Sequence, residues 1–205
     1  MVELEERSYP IQIGTDLSPS CIGEDDRGQT ALLVTDDNVD PLYGEAWEAK
    51  LSDLGLEVRR EMVTAGEASK SVEKAAQLYD AAAAAGLDRS SIVVALGGGV
   101  VGDLAGFVAA TYLRGIRLLQ VPTSLLAMVD SSVGGKTGIN IGAGKNLVGS
   151  FYQPVEVIAD LSALASLPDR EYVAGLAEVV KYGIIWDAQL FSSLEANLDV
   201  LRSRD

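Results

Sequence analysis

Residues 92–115 read IVVALGGGVVGDLAGFVAATYLRG. The opening run, residues 92–96, is apolar, rich in valine and isoleucine and bounded by Ser91 and Gly97. Its length and branching predict a buried parallel strand. Three glycines follow, then Gly102 and Gly106 inside a helical pattern. Glycine lets a strand turn sharply into a helix and lets another group approach the backbone closely. A helix beginning near Val100 points free N–H groups and a positive dipole end at that turn. A phosphate or pyrophosphate suits the place, and so does a purely structural glycine turn. The spacing differs from the G-x-G-x-x-G dinucleotide fingerprint, so that motif is not claimed.

Working outward, residues 9–13 alternate and predict a short strand. Residues 30–35, TALLVT, predict a buried one that ends at Asp36-Asp37-Asn38. A helix is expected from about Leu42 to Leu54, closed by Gly55. An acidic residue at a strand's carboxyl end can hold a ribose or sugar hydroxyl; capping the next helix is the other reading of Asp36. Residues 56–63 predict a third strand. The GEASKS segment follows, carrying Glu67 and Lys70 at the same strand end, with Ser69 as the expected cap of an alanine-rich helix ended by Gly86. Strands alternating with helices through short links imply βαβ units and a mostly parallel sheet.

Residues 116–121 predict another buried strand, stopped by Pro122. The next stretch, VPTSLLAMVDSSVGGKTGINIGAGKNLVGSFYQP, is glycine-rich and sparsely charged. Its charges stand alone: Asp130, Lys136 and Lys145. Lysines set singly among glycines suit phosphate contact; a solvated hairpin is the alternative. Residues 155–159 predict the last strand. Beyond Asp160 the pattern turns helical, from Pro168 or Asp169 to about Tyr182, then from Asp187 to the end. Glu171, Glu178 and Lys181 share a face of the first of these helices, where the last two could form an ion pair. The apolar faces of both helices are expected to be exposed unless something covers them.

The bulk numbers narrow the function. The 205 residues are 48% hydrophobic with a net charge of −14, a globular composition that argues against nucleic acid and anionic membrane surfaces. Cys21 is the single cysteine, which excludes an internal disulfide and fits a reducing, cytoplasmic setting. No secretory leader is expected from MVELEERSYP, and no apolar run is long enough to span a bilayer. There is no histidine, so the commonest catalytic zinc sites cannot be built from this sequence alone.

Four motifs occur in order: GGGVVGDLAGFVAATYLRG, VPTSLLAMVDSSVGGKTGIN, GKNLVGSFYQP and GLAEVVKYG. Together they resemble the 3-dehydroquinate synthase family of sugar-phosphate cyclases, from about Leu32 onward. The resemblance implies an NAD-binding α/β domain over residues 1–160 and, over residues 161–205, the beginning of an α-helical domain that binds metal and substrate. It implies NAD and a divalent metal, zinc or cobalt, as cofactors. It places Asp36 and Asn38 on the adenosine side of NAD, and Glu67 and Lys70 near ribose. Gly98, Gly99, Val100, Gly102 and Asp103 would lie by the pyrophosphate and nicotinamide. Thr123, Ser124 and Lys145 would continue the nucleotide site, with Ala163, Leu164 and Ser166 near adenine. Asp130, Lys136, Lys145 and Asn146 would sit between cofactor and a sugar-phosphate substrate, with Lys136 touching both. Lys181 would contact the substrate, Glu178 would bind metal, and Arg114 would reach a neighbouring subunit's substrate, implying a homodimer. The implied chemistry is transient oxidation, phosphate elimination, reduction and aldol closure. The family's other metal ligands are histidines in a part this sequence lacks, so it reads as the N-terminal portion of a longer enzyme, inactive by itself.

Overall fold

The computed structural model describes residues 1–204. Six strands form one sheet: β1 (Ile11–Gly14), β2 (Thr30–Asp36), β3 (Glu57–Val63), β4 (Ile92–Gly97), β5 (Arg117–Pro122) and β8 (Glu156–Asp160). Their order is β1-β8-β5-β4-β2-β3. Every pairing in it is parallel. Strands β6 (Lys136–Ile141) and β7 (Gly144–Phe151) form a separate antiparallel hairpin. The helices are α1 (Glu45–Asp53), α2 (Val72–Ala84), α3 (Gly99–Thr111), α4 (Asp169–Ile185), α5 (Ala188–Ala196) and α6 (Leu198–Ser203).

The period-2 alternation of a strand sends neighbouring side chains to opposite faces. Leu32 and Val34 of β2 enter one core with Leu78 of α2 and Leu104 of α3. Ala31 and Leu33 enter the other with Trp47 and Leu51 of α1. The helix after β2 therefore covers one face, and the helix after its neighbour β4 covers the other. Adjacent strands whose connections diverge in this way leave a crevice at their carboxyl ends. That crevice lies between Asp36 and Gly97.

The expected strands and α3 are present with ends shifted by a residue or two. Three local expectations need correction. Ser69 does not cap α2: residues 67–69 form a separate tight turn after Gly66 (φ 105°), and Ser69 Oγ donates to Thr64 O at 2.5 Å. Ser71, in extended backbone, accepts from Lys74 N at 3.2 Å and is the cap. The stretch from Asp40 to Gly44 forms a wider turn before α1, which starts later than expected. The last helix breaks at Asn197, whose φ of −119° and ψ of 33° are not helical.

At the amino edge of the sheet one carboxylate ties the N-terminal segment down. Glu156, the first residue of β8, is 0% exposed. It accepts from Gln12 Nε2 (2.5 Å), Ser20 Oγ (2.5 Å), Ser20 N (2.9 Å) and Cys21 N (3.0 Å). Burial pushes its carboxyl up, but the hydrogen bonds from Ser20, Gln12 and Cys21 prevail and hold it below the ordinary glutamate value. The nearby Cys21 thiol, half-buried and beside that carboxylate, is pushed up to about 12, which disfavours the thiolate.

Glu156→Gln is expected to destabilise the fold by about 1–3 kcal/mol, because an amide NH₂ would face hydrogen-bond donors. A group lowered in the folded state stabilises fully above its unfolded value and loses that contribution as pH falls through its folded value. Urea midpoints recorded from neutral to acid pH should therefore show a wild-type advantage that shrinks with acid.

Candidate functional site at the carboxyl edge of the sheet

The approach of α3 to β4 sets the geometry. Gly97 ends the strand, and a Cβ there would sit 2.7 Å from Val101 Cβ. Gly98 is the extended residue before the helix and has no side chain to cap it. The free N–H groups of the first turn therefore face outward at the crevice. Thr123 N donates to Gly97 O at 3.0 Å, which joins the end of β5 to this turn. Ser124 then caps the following turns: its Oγ accepts from Ala127 N at 3.3 Å.

Those turns, residues 127–131, carry Asp130. A cavity of about 460 Å³ opens here, lined among others by Asp103, Asp130, Ser131, Lys136, Asn146 and Phe151. Ser131 Oγ is buried without a hydrogen-bond partner, 3.0 Å from where a Cβ on Gly99 would lie. The structure thus gathers Asp103, Asp130, Lys136 and Asn146 around one opening, with Gly99 packed against Ser131 in its wall, while Gly98 and Val100 do not line it. Gly102 packs on Gln120: a Cβ there would lie 3.0 Å from Gln120 Oε1, so this glycine serves helix–sheet packing.

Lys70 is 4% exposed. Its ammonium meets Asp103 Oδ2 and Asn146 Oδ1, each at 2.5 Å. Burial pushes the Asp103 carboxyl up, the contact with Lys70 pulls it down, and the charges of Glu67 and Asp130 push it further up. Glu67 Oε1 accepts from Asn140 Nδ2 at 2.7 Å and lies 3.9 Å from Lys145 Nζ. Lys136 and Lys145 are both exposed on the hairpin; Lys136 lines the cavity and Lys145 does not.

Asp36 Oδ1 accepts from Asn38 N and Val39 N, both at 3.0 Å, so the carboxylate stabilises its own turn. Burial pushes it up, those bonds oppose the shift, and Asp37 adds to it. Asn38 is exposed beside it. Ala163, Leu164 and Ser166 lie in and just after the turn Leu161–Ala165 that follows β8. Tyr43 Oη meets Ser166 Oγ at 2.6 Å, joining the loops of β2 and β8. Tyr43 and Ser131 carry no signal in the sequence that sets them apart: one falls inside an expected helix and the other is one of two serines between Asp130 and the glycine pair. Asn140 was visible inside TGIN but nothing in its setting marked it.

Arg114 lies apart from this group. It is exposed, at φ 70°, beyond the far end of α3. Thirteen helical residues separate it from the glycine turn, about 20 Å at 1.5 Å per residue. On α4, Gly175 permits close docking, since a Cβ there would lie 2.7 Å from Leu125 Cβ. Glu178 and Lys181 form the ion pair that their spacing allows. That contact raises the Lys181 ammonium, and burial opposes the shift. Among the described residues no three His, Cys, Asp or Glu side chains come together as a metal site.

A doubly wound α/β unit with polar side chains collected at the carboxyl edge of its sheet is the class these features define. Residues 60–174 match the profile described as 3-dehydroquinate synthase N-terminal, and the chain belongs to that family. A 3-dehydroquinate synthase from Caldanaerobacter subterraneus subsp. tengcongensis is 53% identical over 98% of this chain, which covers 58% of that protein. The structure of ValA, a 2-epi-5-epi-valiolone synthase from Streptomyces hygroscopicus subsp. jinggangensis 5008 with NAD+ and Zn2+ bound, superposes with a TM-score of 0.87. It is 33% identical, and the match covers all of this chain and 57% of ValA. A 2-deoxy-scyllo-inosose synthase complexed with carbaglucose-6-phosphate, NAD+ and Co2+ matches with a TM-score of 0.78 at 32% identity. That match covers 83% of this chain and 48% of the other. The chain spans little more than half the length of the curated relatives it matches.

Gly106 tests the packing beneath the cavity. A Cβ there would lie 2.5 Å from Thr137 Cγ2 and 3.2 Å from Thr137 Cβ. Gly106→Ala is expected to cost about 1–3 kcal/mol through overpacking, partly offset by better helix propensity. Chemical denaturation of the purified variant measures it.

Proposed function

We propose that this chain is the nucleotide-binding part of a 3-dehydroquinate synthase. On this reading the whole enzyme converts 3-deoxy-arabino-heptulosonate 7-phosphate to 3-dehydroquinate and phosphate, in the shikimate route to aromatic amino acids. Residues 1–160 form the NAD domain, and residues 161–205 begin the helical domain that completes the site. The observation that supports it best is the bare N-terminus of α3, where Gly99 packs on Ser131 in the wall of a cavity lined by Asp130, Lys136 and Asn146.

NAD fits the residues present. The first turn of α3 offers backbone N–H groups and the positive end of the helix dipole to a pyrophosphate. The unpartnered Ser131 Oγ beside Gly99 has hydrogen-bonding capacity left for a ligand oxygen. When bound, NAD supplies a reversible hydride acceptor. Gly98, Gly99 and Val100 hold its pyrophosphate, with Gly102 and Asp103 on the helix behind them. Asp36 and Asn38 meet the adenosine, Ala163, Leu164 and Ser166 flank the adenine, and Glu67 and Lys70 lie by the ribose. Thr123, Ser124 and Lys145 complete the nucleotide side.

On the substrate side, Lys136 and Lys181 supply fixed positive charge for phosphate and carboxylate, a contribution that grows when water is excluded. Asp130 and Asn146 orient the hydroxyls. Arg114, too far from the α3 turn of its own chain, serves the site of a second copy, so the working enzyme is a homodimer. The reducing cytoplasm suits a chain with one cysteine, and among the described residues no helix is long and apolar enough to cross a membrane.

A metal does not fit these residues alone. Glu178 offers one carboxylate, already paired with Lys181, and among the described residues no cluster of donors surrounds it. Zinc or cobalt therefore needs ligands from outside these residues. That observation favours a second reading for the 205 residues by themselves: NAD binding without turnover.

Calorimetry with NAD and a phosphate-release assay on the heptulosonate phosphate, with zinc present, test both parts. The expected result is saturable NAD binding and no phosphate release. Release would overturn the requirement for outside ligands, and absence of NAD binding would overturn the nucleotide reading. Gly97→Ala, by displacing the first turn of α3 from the crevice, is expected to weaken NAD binding at least about tenfold, roughly the loss of one charge-assisted hydrogen bond. Titration calorimetry of the variant checks it.

A further inference from the structure

The hairpin that carries Lys136, Lys145 and Asn146 is a poor folding unit. Two antiparallel strands alone are marginal in water. This pair is glycine-rich, and β7 is exposed along nearly its whole length. Its shape depends on what holds it from outside. β6 is held by α3 through the contact of Thr137 with Gly106. β7 leans on α3 much less than β6 does, and its tip is held by a ring of polar contacts.

The ring runs through three elements. Asp103 on α3 meets the Lys70 ammonium, which also donates to Asn146 Oδ1. Asn146 N donates to Asn140 Oδ1 at 2.8 Å, and Asn140 Nδ2 donates to Glu67 Oε1. Asn140 N donates to Lys70 O at 2.8 Å and closes the ring on the 66–71 loop. Asn146 itself sits at φ 56°, a left-handed conformation that asparagine tolerates because its short polar side chain bonds locally. An ammonium has three donors, and among the described residues two of those of Lys70 are used.

We propose that Lys70 is a positioning residue that locks the β6–β7 hairpin. Its buried ammonium, anchored by Asp103, holds Asn146 and thereby keeps the hairpin's lysines beside the α3 turn. Its third N–H is left for an acceptor atom of a ligand in the crevice. A ligand that engages Lys70 thus tightens the hairpin, and the nucleotide side sets the order of the side that faces the substrate. The lock rests on the contacts alone; its coupling to a nucleotide rests on the function proposed above.

Hydrogen exchange of the β7 amides in the 205-residue chain reads the lock directly. Lys70→Met and Asn146→Gly each remove the contact, and glycine at 146 does so without straining the left-handed backbone. Each is expected to speed β7 exchange about tenfold or more, the worth of a hydrogen bond to a charged group. The double variant should go no further than either single one. Asn146→Asp keeps an acceptor for Lys70 and should stay within about twofold of wild type on the same scale. Protection in β4 and α3 must be retained; if Lys70→Met fails that check, Asn146→Gly and Asn146→Asp carry the test. Unchanged β7 exchange in Asn146→Gly, additive effects, or equal loosening by Asn146→Asp would overturn the lock.

A second arm adds saturating NAD. Slower β7 exchange in wild type and Asn146→Asp, with no change in Asn146→Gly, supports the coupling. NAD that binds without slowing wild-type β7 exchange overturns it. Failure of NAD to bind wild type sinks the nucleotide reading, while the ligand-free data still decide the lock.

Discussion

The carboxyl edge of this sheet depends on how closely α3 approaches its neighbours. The helix is buried against β4 and β5 on one side and against β6 on the other, with Val101, Leu104, Ala105, Gly106, Val108 and Ala109 enclosed. Space for this exists only where side chains are missing. Gly97 lets the helix begin at the strand's end, Gly102 admits Gln120, and Gly106 admits Thr137. The same compactness leaves the first turn of the helix bare at the crevice. Packing and ligand chemistry are thus settled by the same few residues, and enlarging any of them shifts both.

Much of this was legible. The buried strands announce themselves as short apolar runs bounded by turn residues, and the all-parallel sheet follows from their alternation with helices. Ser69 and Ser71 show where local rules fail. The sequence pointed to Ser69, and the cap is Ser71 because of a backbone turn at Gly66 that no hydrophobic pattern reports. The hairpin was harder. Its strands are too rich in glycine to show a period of two, and they are ordered by contacts from residues 67, 70, 103 and 106, far away in sequence. Lys70 looked like a loop lysine. Its burial is a tertiary fact, created when α3 brings Asp103 beside it.

The charge distribution has a physical logic. A chain with a net charge of −14 repels anions over most of its surface. The cavity is itself bordered by Asp103 and Asp130, so an anionic ligand needs local positive potential. Two sources stand nearest it: the α3 terminus and Lys136 on the hairpin; Lys145 and Lys181 face Glu67 and Glu178. Lys70 contributes less than its charge suggests, because Asp103 neutralises it at 2.5 Å. Its effect is mechanical, exerted through Asn146.

The buried carboxylate of Glu156 bears on the order in which the chain is made. It gathers Gln12, Ser20 and Cys21, and β1 pairs only with β8 in the sheet. Ser20 and Glu156 are 136 positions apart, so at roughly 5–20 residues per second the first strand waits about 7–27 s for its partner during translation. Strands β2 to β5, each pairing with a near neighbour, can assemble in that interval. β1 thus joins the sheet only once β8 has been made, after β2 to β5 have had time to pair.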